Sequence, residues 1–426
     1  MRDGTFGSRF TGRGSFGKLS NIGGAPPRRN IGPNTIVHGE HITLIYLDHA
    51  ATTPIRSEVR EGMIAVLDGD FGNPSSAHGW GRRAAAHLEE ARERVADTIE
   101  ADRSEIYFVR GGTESDNMAI LGHAAAVRHQ GGTPFAVAST IEHKAVLGAA
   151  AEVANQGGRW STVPVYADGT LDMDALDTAL ALGATIVSVM TVNNEVGIQL
   201  PIEDILERTS AHRAVSHTDA VQALGKVPVS VRDLPVDLLS LTGHKIYGAK
   251  GTGVLFVRRG VDIAPLIFGG GQERALRPGT EDVAGAVGMS IAVELAVQEQ
   301  ESESARLRGL RDLLQSRLEG EIPGLRIHGD VPDRAPHILN VGIPNVDPEA
   351  LLAGLDLEGI AASAGSACES GAQTASHVLE ALYGRLEGVA ALRFSPGHST
   401  TEDAVIHAAE GTLKVLERMP SVETPA

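Results

Sequence analysis

The chain holds a single cysteine, Cys368, among 426 residues. One thiol makes neither an intrachain disulfide nor a cysteine-rich zinc site, and a reducing cytosol is the expected home. Long apolar runs are missing as well. None reaches the roughly 18–20 residues that a membrane-spanning helix needs. A basic excess is also absent: the formal charge of −17 argues against a general nucleic-acid binder, which would carry a basic face. The 16 histidines form no HExxH motif and no His/Cys cluster, so no metal site is expected. No GxGxxG opens a helix after a strand. The segment GHKIYGAKGTG falls short of a P-loop, because Ala249 stands where lysine is required and no Ser or Thr follows it.

The first forty residues differ from the rest. Through His41 they carry six Lys or Arg against Asp3 and Glu40, which leaves about −17 − 4 = −21 on the remainder. They are rich in Gly, Arg and Ser, lack the apolar segment of a secretory signal, and are expected to form a disordered tail over 1–42.

From Leu44 onward, short apolar runs alternate with helical stretches. Leu88, Ala91, Val95 and Ile99 fall on one helical face. The runs at 135–140, 185–192, 236–241 and 253–259 read as buried strands, and a long helical segment is expected from Asp282 to Glu321. Such alternation predicts an α/β fold with a mostly parallel sheet.

Open sheets of this kind bind ligands beyond the carboxyl ends of their strands. Polar segments stand at those places: GGTES (111–115), IEHKAV (141–146), NNEVG (193–197), HTDAVQ (217–222) and TGHKIYG (242–248). Asn194, Asp219 and Lys245 are 25 and 26 residues apart, about one strand–helix unit each, which places them on one rim. Each feature alone has an ordinary reading: a capped helix start at Gly111–Thr113, a structural histidine at His143, a turn-forming aspartate at Asp219, a solvent-reaching lysine at Lys245. Together they make the parts list for pyridoxal phosphate: a phosphate cradle, a carboxylate for a protonated ring nitrogen, and a Schiff-base lysine. Thr242 and His244 would add phosphate donors. His143 would stack on the ring, and Asn194 and Gln222 would bond its hydroxyl.

In motif content and order the chain resembles the cysteine desulfurases of the NifS/IscS type, in the class V aminotransferase family. The resemblance runs from YLDHAATTP (46–54) to LRFSPG (392–397) through FGNPSSAHG, GGTESDN, EHKAV, VNNEVG, HTDAVQALGK, TGHKIYGAKGTG, GGGQERALRPGT and SAGSAC. It implies the pyridoxal-phosphate fold type I, with a large cofactor-binding domain over 58–300. Residues 43–57 and 301–426 would form a smaller α+β domain carrying the Cys368 loop. It further implies an L-cysteine desulfurase that forms alanine and passes sulfur, as a Cys368 persulfide, to an acceptor protein. Lys245 would be the Schiff-base lysine, and Asp219 the partner of the pyridine nitrogen. His143 would cover the ring and assist proton transfer, with Asn194 and Gln222 at the ring oxygen. Gly112, Thr113, Thr242 and His244 would hold the phosphate. Thr280 would reach the cofactor of the second subunit in a homodimer, and Arg393 with Asn73 would clamp the substrate carboxylate. The Ser, Gly, Ala and Glu flanks of Cys368 favour an exposed loop over a buried position.

Departures from the family pattern are Gly112 in GGTES, Thr242 for serine, and Pro396. The chain stops at SVETPA, where IscS-type members continue into a scaffold-docking segment, so iron–sulfur assembly, tRNA thiolation and DNA phosphorothioation remain open as destinations. A selenocysteine lyase or another class V enzyme is the alternative, and a non-enzymatic scaffold would normally have lost Lys245 or Cys368.

Overall fold

The computed structural model describes residues 44–364 and 376–419. Among them twelve strands follow in chain order: β1 Ile45–Tyr46, β2 Ile106–Val109, β3 Phe135–Ser139, β4 Arg159–Val163, β5 Ile186–Ser188, β6 Val215–Asp219, β7 Leu238–Thr242, β8 Gly253–Val257, β9 Arg326–His328, β10 Leu339–Pro344, β11 Ile360–Ala361 and β12 Val389–Phe394. Seven of them form one sheet in the order β2-β8-β7-β6-β5-β3-β4. β8 is antiparallel to both neighbours, and every other pairing is parallel. β3, β5, β7 and β8 are buried throughout, as expected where helices cover both faces of a parallel sheet.

The chain leaves β3 for the edge strand β4 and then returns to the other side of β3 at β5. Such a reversal opens a crevice at the carboxyl ends of β3 and β5. The turns that carry His143 and Asn194 follow these two strands. The helix Gly79–Ile99 buries Leu88, Ala91, Val95 and Ile99, the face marked by their spacing. The helical segment expected from Asp282 to Glu321 is there, as two helices, Val283–Gln298 and Gln300–Glu321. No Gly or Pro marks the break. It falls where a buried, largely apolar helix gives way to a one-sided amphipathic one, and Glu299 at the junction bonds Arg56 Nη1 at 2.6 Å.

A second core lies apart from the large sheet. Ile45 and Leu47 pack there with Leu310, Leu314, Leu339, Val341, Leu392, Phe394 and Val405. It is backed by the antiparallel sheet β12-β10-β9 and the two-stranded pair β1-β11. The helix His377–Tyr383 departs from its sequence neighbours: Val378, Leu379 and Leu382 join the core of the large sheet. Among the described residues no helix is long and apolar enough to cross a membrane.

Candidate active site

β7 ends at Thr242, and Gly243–Lys245 make one 3-10 turn. A Cβ at Gly243 would lie 2.4 Å from Thr252 Oγ1, so the turn requires glycine. Thr53 braces it from a distant part of the chain. Its N–H and its hydroxyl both donate to the His244 carbonyl, at 2.9 and 3.0 Å, and its Oγ1 accepts from Tyr247 N at 2.8 Å. The half-buried Lys245 Nζ donates to the carbonyls of Ala50 and Ala51 at 2.6 and 2.7 Å. The YLDHAATTP segment therefore builds the seat of the lysine.

Asp219, at the end of β6, is buried, and its Oδ1 accepts from Val221 N at 2.9 Å. Burial pushes its carboxyl up, while nearby His143 and Lys245 pull it down. A buried carboxylate in this state suits a cationic partner. His143 caps the helix Lys144–Asn155, its Nδ1 accepting from Ala145 N at 3.1 Å. Burial lowers its pKa, against the pull of Asp219. The neutral ring therefore carries its proton on Nε2.

Two buried residues that sequence reasoning passed over hold these turns. Asn193 accepts at Oδ1 from Glu195 N and Val196 N, at 2.9 and 3.0 Å, and donates from Nδ2 to Ile141 O at 2.8 Å. The NNEVG turn is thereby stitched to the segment before His143. Glu142 Oε1 accepts from Ser139 Oγ at 2.5 Å and Met190 N at 2.8 Å, and burial pushes its pKa up to about 8. The fold holds a proton here that the unfolded chain releases above its ordinary value of 4.5. This contribution to stability is whole below that value, declines as pH rises, and is lost above about 8. Glu142→Gln should accordingly flatten part of the fall in melting temperature as pH rises from about 5 to about 8. Parallel thermal melts check this, and identical slopes would refute it.

A cavity of about 380 Å³ opens beside this rim, lined by Gly111, Gly112, Thr113, Thr242, His244 and Lys250 among others. It lies at the start of the helix Gly112–His129. Gly111 adopts φ 131°, ψ −178°, a conformation reserved for glycine, and frees the first N–H groups of the helix. Thr242 Oγ1 donates to Thr252 O at 3.1 Å. His244 Nδ1 lies 3.2 Å from Thr52 Oγ1, and its pKa falls to about 4 through burial and then the charges of Lys245 and Lys250. A helix N-terminus with hydroxyls and a lysine fits a phosphate group. With the buried Asp219 nearby, these residues fit pyridoxal phosphate.

Gln222 is already engaged. Its Nε2 donates to Ala50 O at 2.9 Å, and its Oε1 lies 3.1 Å from His337 Nε2. Arg393, 2% exposed, donates to Asn194 O and Asp48 Oδ1, both at 2.8 Å. The main chain of Asn194 is thus what meets this guanidinium. Asn73 stands on an exposed segment with Oδ1 accepting from Ser75 N at 2.9 Å, and Thr280 is also exposed. Neither lines the cavity.

Cys368 lies outside the described residues. The chain on either side of its segment is tied to the same rim. Ser363 and Arg393 exchange backbone bonds at 3.1 and 2.6 Å. Ser376 Oγ donates to Glu195 Oε2 at 2.5 Å, and His377 Nε2 lies 2.9 Å from the Glu142 carbonyl oxygen. Asp48, Glu195, Ser376 and His337 were not foreseen. Asp48 stood inside a motif already quoted, but nothing in the sequence links position 48 to 393.

Residues 45–406 match the aminotransferase class-V family. The cysteine desulfurase IscS of Dictyoglomus turgidum is 43% identical over 376 residues, covering 88% of this chain and 94% of that protein. A solved NifS-like protein superposes with a TM-score of 0.82 at 35% identity, over 88% of this chain and 100% of the other. SspA, solved in complex with cysteine, gives 0.72 at 33% identity, over 82% and 98%. The chain belongs to the aminotransferase class-V family, and within it to the cysteine desulfurases of the NifS/IscS type.

Proposed function

We propose that the protein is a cytosolic, homodimeric L-cysteine desulfurase that uses pyridoxal phosphate and carries the sulfur to an acceptor protein as a Cys368 persulfide. The observation that carries this reading is the anchoring of Ser363, Ser376 and His377 to Arg393, Glu195 and Glu142. Cys368 is five residues from Ser363, so a fully extended chain reaches at most about 18 Å from that anchor. The thiol is tethered to the rim that holds Lys245, Asp219 and His143.

When bound, the cofactor acts as an electron sink that makes the substrate's α-hydrogen acidic and its sulfur electrophilic. The rest falls to the chain. Gly112, Thr113, Thr242 and His244 hold the phosphate, Asp219 pairs with the ring nitrogen, and Lys245 supplies the amine. His143 covers the ring and keeps a proton at Nε2. Arg393 binds the substrate carboxylate. The Cys368 thiolate takes the sulfur atom, forming an S–S bond as the C–S bond breaks. The electron pair of that bond stays with the substrate carbon, which gains a proton and becomes the methyl of alanine.

Phe71 and Phe268, 74% and 86% exposed, flank the segments that carry Asn73 and Thr280. Apolar side chains so exposed suit a second copy of the chain, which would bring Thr280 to its neighbour's cofactor.

Brief mixing with L-cysteine, with intact mass and alanine read in the same sample, tests the reading. One sulfur atom gained per alanine formed is the expected result. Alanine formed with no sulfur retained would refute it and favour a lyase of the same fold. Arg393→Lys keeps the charge but loses the planar fork, so KM for L-cysteine should rise about 10–100-fold with a smaller change in kcat. An unchanged KM in steady-state assays would remove Arg393 from the substrate site.

A further inference from the structure

Buried polar contacts around Gln222 have a direction. The Ala50 carbonyl has no hydrogen to give, so the Gln222 nitrogen must face it, at 2.9 Å. The carboxamide oxygen then faces His337 Nε2, at 3.1 Å, and that nitrogen must carry the histidine proton. His337 is 2% exposed, and its Nδ1 is buried without a hydrogen-bond partner. Burial holds its pKa well below the ordinary value, reinforced by the positive Lys226 and Arg393, so it has one proton to place. Ala50 O also receives Lys245 Nζ at 2.6 Å, so both of its acceptor positions are taken. One Gln222 amide hydrogen is used on Ala50, and the other is left.

We propose that His337 is a positioning residue that locks the Gln222 carboxamide by a Nε2–H···Oε1 bond, so that the remaining amide hydrogen, and never the amide oxygen, is offered to the anionic ring oxygen of the cofactor. The inference rests on the reading that Gln222 meets that oxygen. Without the lock, the Ala50 carbonyl alone orients the carboxamide, and any turn of its own oxygen toward a negative charge costs a hydrogen bond and adds repulsion.

The test titrates pyridoxal phosphate into apoprotein and follows the visible band with pH, in wild type, His337→Leu, His337→Gln, Gln222→Leu and the double variant His337→Leu/Gln222→Leu. His337→Leu should weaken cofactor binding about tenfold and move the pH midpoint of the band. His337→Gln, whose Nε2–H replaces the donor, should return to within about threefold of wild type. In the Gln222→Leu background, His337→Leu should change binding by less than about twofold, because the two act through one bond. Equal losses in His337→Leu and His337→Gln would overturn the inference, as would an undiminished tenfold loss in the Gln222→Leu background. Gln222→Leu with wild-type binding and spectrum would overturn the assignment of Gln222 itself, and this inference with it.

Discussion

Lys245→Ala is expected to reduce alanine formation by at least about a thousandfold while the apoprotein stays folded. The side chain is half-buried, and its replacement gives up two hydrogen bonds to the Ala50 and Ala51 carbonyls. Packing elsewhere in the turn is left as it was. Borohydride reduction of wild type should fix one cofactor mass on the chain, and the variant should retain none. A competitor gives the experiment its force. Lys226 is also buried, 5.7 Å from the centre of the Tyr247 ring, and burial pushes its pKa down to about 8 against the pull of Glu303. Reduced cofactor found on Lys245→Ala would place the Schiff base on another lysine, with Lys226 the first to examine.

Cys368→Ser should leave cofactor binding intact yet end persulfide formation, with turnover down about a thousandfold or more. Free cysteine, with a pKa of about 8.5, supplies some thiolate at neutral pH, whereas a serine hydroxyl supplies essentially no alkoxide and cannot accept sulfur reversibly. No second cysteine exists to substitute for it. Intact mass after mixing with L-cysteine separates the outcomes. Full alanine production by the variant would show that Cys368 does not attack the substrate.

The strand–turn rhythm was legible because strands buried on both faces must be apolar end to end, while the turns beyond them carry the polar groups. Asn194, Asp219 and Lys245 could be set on one rim by counting alone. β5 is shorter than its apolar run, because the chain after Ser188 turns away to serve the site, with Met190 N bonding Glu142. What stayed hidden depends on meetings across the chain. Asp48 meets Arg393, Ser376 meets Glu195, and His337 meets Gln222 only after two cores pack, and no local pattern reports such a meeting. Glu142 and Asn193 were hidden differently. Each sits beside a residue already chosen, and burial gives it a scaffolding task that spacing does not announce.

The pairing of Asp48 with Arg393, and of the Leu47 and His49 main chain with Ser395, joins positions about 345 residues apart. During synthesis at about 5–20 residues per second, the segment that seats Lys245 waits roughly 20–70 s for its partner strand to leave the ribosome. Nascent chains halted before residue 393 should therefore fail to take up cofactor even with the whole seven-stranded sheet already made. The site is therefore completed late in translation, long after the large sheet that carries Lys245 and Asp219.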